Sequence, residues 1–302
     1  MSSVLVPGSR KGAETMERAA VRGRSLWDDA RRRLLRNRAA VAGMAVLGLL
    51  VLAALVGPYL TAWPYDQVNK DDVWLPPLQG GHLLGTDALG RDLLARLLIG
   101  LRVSLAIGLV ATAVSLLIGV AWGAVAGFVG GRLDETMMRV VDVLYSLPFI
   151  FFVILLMVTF GSNIILIFVA IGAVEWLTMS RIVRGQTLTL KHKEFVEAAR
   201  AAGLSQGAII ARHIVPNLLG PVVVYVTLTI PAVILAESFL SFLGLGVQPP
   251  MASLGTLIAN GAQDMELAPW LLVFPSVVMV VTLMSFNFIG DGLRDAIDPK
   301  DR

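Results

Sequence analysis

Apolar runs of about 20 residues recur along this chain, and they constrain its fold more than any other feature. A helix of about 20 residues is long enough to cross the hydrocarbon layer of a membrane, which is about 30 Å thick. Charged residues make up only 16% of the 302 residues, whereas soluble domains usually contain about 25%. The sequence therefore predicts an all-α integral membrane protein that crosses the bilayer several times.

Six of these runs predict transmembrane helices and divide the chain into segments. The predicted spans cover residues 39–60, 103–129, 136–160, 164–180, 221–243 and 268–290. A basic segment at residues 1–38 precedes the first span, and a long loop at residues 61–102 follows it. The other five spans form a core over residues 103–290, which contains a charged loop at residues 181–217. A tail covers residues 291–302.

The distribution of Lys and Arg predicts the orientation of these spans. Of the 25 basic residues, 21 lie in segments on the side of the N-terminus, and 4 lie in loops on the other side. Basic loops stay in the cytoplasm, so we expect both termini and the 181–217 loop to be cytoplasmic and the 61–102 loop to be external. The run from Arg31 to Arg38 could bind nucleic acid, but a membrane-side anchor is the simpler interpretation, and we expect no nucleic-acid partner.

The sequence argues against several kinds of chemical site. The chain has no cysteine, which removes disulfides, thiolate metal sites and cysteine nucleophiles, and its three histidines lack metal-ligand spacing. The segment GTDALGRD at residues 85–92 has the glycine spacing of a phosphate-binding loop, but Arg91 and Asp92 replace the required Lys and Ser or Thr. We therefore expect no cofactor or metal in this chain, and any ATP that drives it must be hydrolysed by another chain.

Proline and glycine within the spans predict bends and one close helix contact. Pro148, Pro231 and Pro275 are expected to bend their helices, because a proline frees a backbone carbonyl. Glycine recurs at every fourth position from Gly119 to Gly131. This spacing lines one helix face with glycine and predicts close packing, by preference against another helix of the same chain.

The leucines between Gly85 and Arg102 recur at helical spacing. This pattern predicts an amphipathic helix lying near the outer membrane interface.

Three acidic residues fall inside predicted spans: Asp142, Glu175 and Glu237. A charge near the bilayer centre costs at least about 2.5–3.5 kcal/mol, so each needs a partner or a wet cavity. Asp142 is expected to pair with Arg139, three residues before it. Any of the three acids could instead couple ions in a secondary transporter, although all three are expected to lie away from the membrane midplane.

The charged loop contains a stretch that predicts two short helices. One apolar stripe runs along the first helix and comprises Phe195, Ala198, Ala199 and Ala202. Gly203 suits the left-handed turn that ends a helix, and Ser205 is a suitable N-cap for a second helix that continues to about Ile214. Pro216 is expected to stop this second helix. An exposed helix with small side chains can dock closely on another protein or lie along the membrane surface.

The same loop resembles a known motif. Glu197-Ala198-Ala199, Gly203 and Ile214-Val215-Pro216 resemble the EAA loop of bacterial ABC importer permeases, with Val215 where leucine is commoner. The stretches HLLGTDALGRDLLARLLIGLRVSL, ESFLSFLGLGVQPP and NFIGDGLRDAIDP resemble the second permease subunit of the dipeptide, oligopeptide and nickel importers. This resemblance covers nearly the whole chain, from about residue 30 to residue 302.

This resemblance implies a six-span subunit with the type I ABC importer permease fold in a bacterial inner membrane. It implies four kinds of partner: the lipid bilayer, a homologous second permease, two cytoplasmic ATPases that bind ATP and magnesium, and an external solute-binding protein. It also implies that the EAA helix is a coupling helix that docks on one ATPase. The implied docking residues are Glu197, Ala198, Ala199, Arg200, Gly203, Leu204, Ser205 and Pro216.

The function implied is import of dipeptides or oligopeptides by alternating access, driven by the partner ATPases. Import of nickel or another small solute is one alternative, since permeases of this appearance serve several substrates. An ion-coupled secondary transporter is another, but it leaves the docking loop without a role. An intramembrane enzyme needs catalytic groups that meet within the bilayer, and the sequence offers no such set.

Overall fold

The structure is a computed structural model that describes residues 26–161 and 164–297. Most of the predicted basic segment and residues 298–302 of the predicted tail lie outside these ranges. The described residues form helices joined by turns, without a β-strand. The helices are α1 (Leu26–Arg36), α2 (Arg38–Val56), α3 (Leu93–Val129), α4 (Gly131–Ser146), α5 (Phe149–Phe160), α6 (Ile164–Leu190), α7 (Glu194–Ala201), α8 (Gln206–Phe242), α9 (Leu254–Gln263) and α10 (Trp270–Ile297). Short 3₁₀ turns cover Gly57–Tyr59 and Lys70–Asp72.

Five of the described helices are long and apolar enough to cross a membrane, and they are α2 (extended to Tyr59), α3, α6, α8 and α10. A sixth span exists if α4 and α5 are counted as one broken span with a bend of 83°. The predicted third span at residues 136–160 is therefore two helices. The break falls at Pro148, and Leu147 before it is extended, because the proline ring disfavours a helical residue in front of it.

The α3 and α6 helices pack closely along the glycine-lined face of α3. A Cβ atom added to Gly123 would lie 2.4 Å from the carbonyl oxygen of Ser180, and one added to Gly119 would lie 2.6 Å from Met179. Gly127 makes a similar approach to Thr187. The predicted packing face within the chain is confirmed for these three glycines, whereas Gly131 starts α4 and a Cβ atom added there would meet nothing within 4 Å.

The leucines of residues 93–101 belong to a span and not to a separate interfacial helix, so that prediction is wrong. The α3 helix begins at Leu93 and continues for 37 residues, about 55 Å at 1.5 Å per residue. Leu97 and Leu101 are buried against Leu254 and other residues of α9, which gives the leucine stripe a partner inside the chain. Residues 85–91 before it form turns.

Residues 61–92, which we call the cap, fold over the start of α3. Within the cap, His82 is 2% exposed and stacks on Trp63 with ring centroids 4.8 Å apart. Its Nδ1 atom lies 2.8 Å from Oδ2 of Asp92. The other oxygen of Asp92 accepts a hydrogen bond of 2.7 Å from the backbone N–H of Ala95 and so caps α3. One carboxylate therefore joins the cap to the first turn of a span.

Backbone contacts close the cap further. Thr86 accepts a hydrogen bond of 2.8 Å from the backbone N–H of Leu75 and donates one to the carbonyl of Asp72. Gly90 has a φ of +68°, and a Cβ atom there would lie 1.7 Å from the carbonyl oxygen of Asn69. The segment that looks like a phosphate-binding loop is thus a turn closed against its own chain.

Candidate functional site

The α7 helix forms the centre of the candidate docking site, at the end of α3 opposite the cap. Glu194 and Glu197 occupy its first turn and Arg200 its last, an order that the helix dipole favours. The predicted left-handed turn at Gly203 is confirmed, with a φ of +80°. The N–H of Leu204 donates to the carbonyl of Ala199 at 3.2 Å, and the N–H of Gly203 donates to the carbonyl of Arg200 at 2.9 Å. This pair of hydrogen bonds defines a Schellman C-cap.

The predicted apolar stripe of α7 is divided between two sides of the helix. Val196 and Ala199 are buried, at 0% and 6% exposure, and pack on Phe128 at the end of α3. Phe195 and Ala198 are exposed, as is Ala202 just after the helix. The stripe prediction was wrong in grouping Ala199 with these residues and in omitting Val196, because a helix this short can bury only one narrow face against the bundle.

The exposed part of α7 also carries charge. Glu197 is exposed. Arg200 is exposed too, but its guanidinium carbon lies 5.2 Å from the centroid of the Phe128 ring. This cation–π contact fixes the side chain of Arg200 over the end of α3.

The second helix of the loop is continuous with a span, so the prediction that Pro216 stops it is wrong. Ser205 accepts a hydrogen bond from the N–H of Ala208 at 3.4 Å, and its role as N-cap is confirmed. A wide π-helical turn follows at Ile210–Ile214, where the N–H of Val215 donates to the carbonyl of Ile210. This turn lets the chain pass Pro216 without the clash that proline causes in a regular α-helix.

Polar contacts attach the loop and its neighbours to the bundle. Lys191 donates to the carbonyl oxygen of Gly127 at 3.1 Å, which satisfies the end of α3. Arg184 of α6 binds Asp134 of α4 through two hydrogen bonds of 2.6 and 2.7 Å. Sequence reasoning missed both contacts, because their partners lie 50 or more residues apart in the chain.

The three acids of the predicted spans have different surroundings. Asp142 accepts a hydrogen bond of 2.8 Å from Arg181 of α6, which corrects its predicted pairing with Arg139. Glu175 is half-buried. It lies near the middle of α6 and not near its end, because this helix continues to Leu190 and does not end at residue 180 as predicted. In residues 26–161 and 164–297, no three His, Asp or Glu side chains are grouped so as to hold a metal ion.

Glu237 lies near the end of α8 and is fully buried. One of its carboxylate oxygens accepts hydrogen bonds of 2.6 Å from both Ser241 and Ser253. Ser253 is also the N-cap of α9, so the glutamate joins α8 to the start of α9.

These features define a class of protein: an all-α, multi-span membrane protein that presents a short helix at one end of its bundle. Two solved structures of this class share the fold. Both are inward-facing conformations of the MetNI methionine ABC transporter, and they match with TM-scores of 0.55 and 0.54 at 20% and 21% identity. Each match covers 67% of this chain and 96% of the chain in that structure.

The chain belongs to the family of binding-protein-dependent transport system inner membrane components, whose model matches residues 119–302. A second model, for the N-terminal transmembrane domain of oligopeptide transport permease C, matches residues 25–77. The chain is thus the permease component of an ABC importer with the type I fold, and it is not the ATPase of that importer.

Several relatives match along nearly their whole length. The oligopeptide transport system permease protein OppC of Escherichia coli strain K12 is 55% identical over 97% of this chain and 99% of its own. The OppC protein of Haemophilus influenzae is 53% identical over 96% and 94%. The dipeptide transport system permease protein DppC of Bacillus subtilis is 43% identical over 99% and 92%.

Proposed function

We propose that this permease carries oligopeptides or dipeptides into the cytoplasm by alternating access. The names of its relatives support peptides over nickel or another small solute, since the three described above are oligopeptide or dipeptide permeases. The partners of such an importer are a homologous second permease, two cytoplasmic ATPases and an external solute-binding protein.

The observation that carries the mechanism is the division of α7 into a buried and an exposed side. Its exposed side, with Phe195, Ala198 and Ala202, offers small and apolar surface to a groove of an ATPase. Its buried side, with Val196 and Ala199, rests on α3 and α8. Movement of the ATPase would therefore be transmitted through the body of α7 to two spans.

Each proposed docking residue has a distinct part in this arrangement. Glu197 and Ala198 would contact the ATPase, whereas Ala199 and Arg200 hold the helix to the bundle. Gly203 makes the turn by which the chain leaves the groove. Three residues would fix the direction of the next span: Leu204, Ser205 and Pro216.

We also propose that both termini and the loop at residues 191–205, which we call the α7 loop, face the cytoplasm of a bacterium and that the cap is external. The excess of Lys and Arg on the α7 side supports this orientation.

ATP and magnesium would be bound by the partner ATPases. The closed turn at residues 85–92 supports this view, because Gly90 lies against Asn69 and leaves no space there for a phosphate.

The test is peptide uptake by the whole importer in proteoliposomes. Uptake should require ATP, and peptides should compete for it while nickel ions do not. Ala198→Trp should abolish coupling between ATP hydrolysis and uptake, because a large side chain cannot enter a groove that fits alanine. Ala211→Trp places the same side chain at an exposed alanine of the neighbouring helix and should retain coupling.

Two results would contradict the proposal. One is uptake driven by a proton gradient without the ATPases, which favours a secondary transporter that uses Asp142, Glu175 or Glu237. The other is full coupling in the Ala198→Trp variant, as in the Ala211→Trp variant, which removes α7 from the interface.

A further inference from the structure

The α4 helix has an exposed polar stripe. Glu135, Arg139, Asp142 and Ser146 recur at positions i, i+4, i+7 and i+11, so they share one face of the helix. All four side chains are exposed. A stripe with three charged residues cannot face hydrocarbon without a large cost in free energy.

A different exposed face of the same helix is apolar. Its members are Leu133, Val140 and Leu144, with exposures of 44%, 42% and 39%. A third face, with Asp134 and Val141, is buried against the rest of the chain. The apolar face can contact lipid or a second permease, whereas the polar stripe needs water.

The depth of α4 follows from its contacts with α6. Val141 packs on Trp176 and Leu177, which lie within the apolar part of α6. Asp134 pairs with Arg184 and lies nearer the α7 end, so α4 runs back along α6 into the membrane. The polar stripe therefore extends to the level of the apolar span and ends at the break before Pro148.

The ion pair between Asp142 and Arg181 lies at this level and is exposed on the surface of the chain. The side chain of Asp142 is 55% exposed and that of Arg181 is 39% exposed. The guanidinium carbon of Arg181 also lies 4.3 Å from the centroid of the Tyr145 ring. An exposed ion pair stabilises a fold very little, so its two members can take other charged partners.

This surface carries charges of both signs. Glu135 and Asp142 are negative, and Arg132, Arg139 and Arg181 are positive. A divalent cation such as nickel is bound by clusters of imidazole, thiolate or carboxylate ligands, and the described residues hold no such cluster. A peptide in water has one ammonium and one carboxylate group, and a surface with charges of both signs offers each group a partner of opposite charge.

We propose that the polar stripe of α4, together with Arg181, forms one wall of the water-filled transport path, where Asp142 and Arg181 exchange their ion pair for the ammonium and carboxylate groups of the passing peptide. This inference rests on the proposed function, because it assigns the surface of this chain that the peptide meets.

The absence of cysteine from the chain allows a direct test of the wall. Ser146→Cys and Leu144→Cys would each place one thiol on an exposed position of α4, the first in the polar stripe and the second in the apolar face. The assembled importer in proteoliposomes is treated with methanethiosulfonate ethylsulfonate, an anionic reagent that does not cross membranes and attacks the thiolate. Reaction requires water at the thiol, because a thiol in apolar surroundings stays protonated.

The expected result is that Ser146→Cys reacts at least 10-fold faster than Leu144→Cys, and that excess peptide slows the reaction of Ser146→Cys. Equal rates in the two variants would overturn the proposal. A fast reaction of Ser146→Cys that peptide does not slow would overturn it as well, since the polar stripe would then contact water but lie outside the transport path.

A second experiment tests the exchange of charges. In the Ser146→Cys background, Arg181→Gln should raise the peptide concentration that gives half-protection about 5-fold for peptides with a free carboxylate. It should leave the value unchanged for C-amidated peptides. Arg184→Gln is the matched control and should leave both values unchanged, because the Arg184 guanidinium already donates to both carboxylate oxygens of Asp134. An equal effect of Arg181→Gln on both kinds of peptide would show a structural role and overturn the assignment.

These results are separable from a failure of the proposed function. If ATP-driven peptide uptake is absent from the unmodified importer, the proposed function fails. If uptake is normal and peptide does not protect Ser146→Cys, the wall alone is misassigned.

Discussion

The cap at residues 61–92 and the α7 loop at residues 191–205 lie at opposite ends of α3 and are held in different ways. In the cap, buried polar side chains bind each other and the backbone, as His82 and Asp92 do. In the α7 loop, two small apolar side chains, Val196 and Ala199, make the main contact with the bundle. The cap is therefore held together by its own polar contacts, whereas most residues of α7 are exposed and open to a partner.

The glycines of the two regions show the same difference. Gly90 in the cap meets the backbone of Asn69, and no side chain of any kind fits there. Gly203 in the loop has open space around it, and only its positive φ favours glycine. Tight packing fixes the first region, and local backbone geometry shapes the second.

The largest effect is expected from Gly90→Ala. The added Cβ would lie 1.7 Å from the carbonyl oxygen of Asn69, so the cap must open, at a cost of about 4 kcal/mol or more. Gly81→Ala is the control, because Gly81 has a similar positive φ of +83° but nothing within 4 Å of an added Cβ. Its cost should be only the backbone strain of about 1–2 kcal/mol.

The measurement is the yield of monodisperse, detergent-purified importer and its apparent Tm. Gly81→Ala should give a stable complex, and Gly90→Ala should give little or none. Similar yields from the two variants would mean that the close contact at Asn69 does not hold the cap together.

A smaller effect on stability but a clear effect on function is expected from Gly203→Ala. Alanine at a φ of +80° costs about 1–2 kcal/mol, which favours a changed turn after α7 and a misplaced docking helix. Gly207→Ala is the control. An added Cβ meets nothing within 4 Å at either glycine, but of the two only Gly203 has a positive φ. The ratio of peptide transported to ATP hydrolysed should fall for Gly203→Ala and stay unchanged for Gly207→Ala.

Assembly is measured in parallel, because the importer should still form in both variants. A loss of assembly in Gly203→Ala that matches its loss of coupling would assign the glycine a role in folding and not in docking.

Local signals in the sequence predicted the features that depend on local physics. Apolar runs predicted the spans because hydropathy and length act within one segment. Gly203 and Ser205 were predicted as caps because a helix end is settled by the few residues around it. The glycine spacing from Gly119 to Gly127 predicted a close helix contact in the same way, although it did not identify α6 as the partner.

The wrong predictions concern features that depend on distant residues. The leucines of residues 93–101 fit an interfacial helix equally well until Leu254 and its neighbours supply a partner. Asp142 has Arg139 within reach on its own helix, but the fold brings Arg181 to it from 39 residues away. The continuation of α8 past Pro216 depends on a π-helical turn that no local sequence pattern predicted.

The smallest effect is expected from Ser205→Ala. The hydrogen bond from the N–H of Ala208 to Ser205 Oγ is 3.4 Å long, near the limit for such a bond, so its loss should cost no more than about 0.5 kcal/mol. Asp92→Ala removes the corresponding N-cap of α3, where the bond from Ala95 is 2.7 Å long and the same carboxylate binds buried His82. That variant should lower the free energy of unfolding by about 1–3 kcal/mol, because it also leaves the His82 imidazole without its buried partner.

The apparent Tm of the purified importer should therefore fall clearly for Asp92→Ala and hardly at all for Ser205→Ala. A larger fall for Ser205→Ala would mean that the start of α8, and not the cap, limits the stability of the bundle.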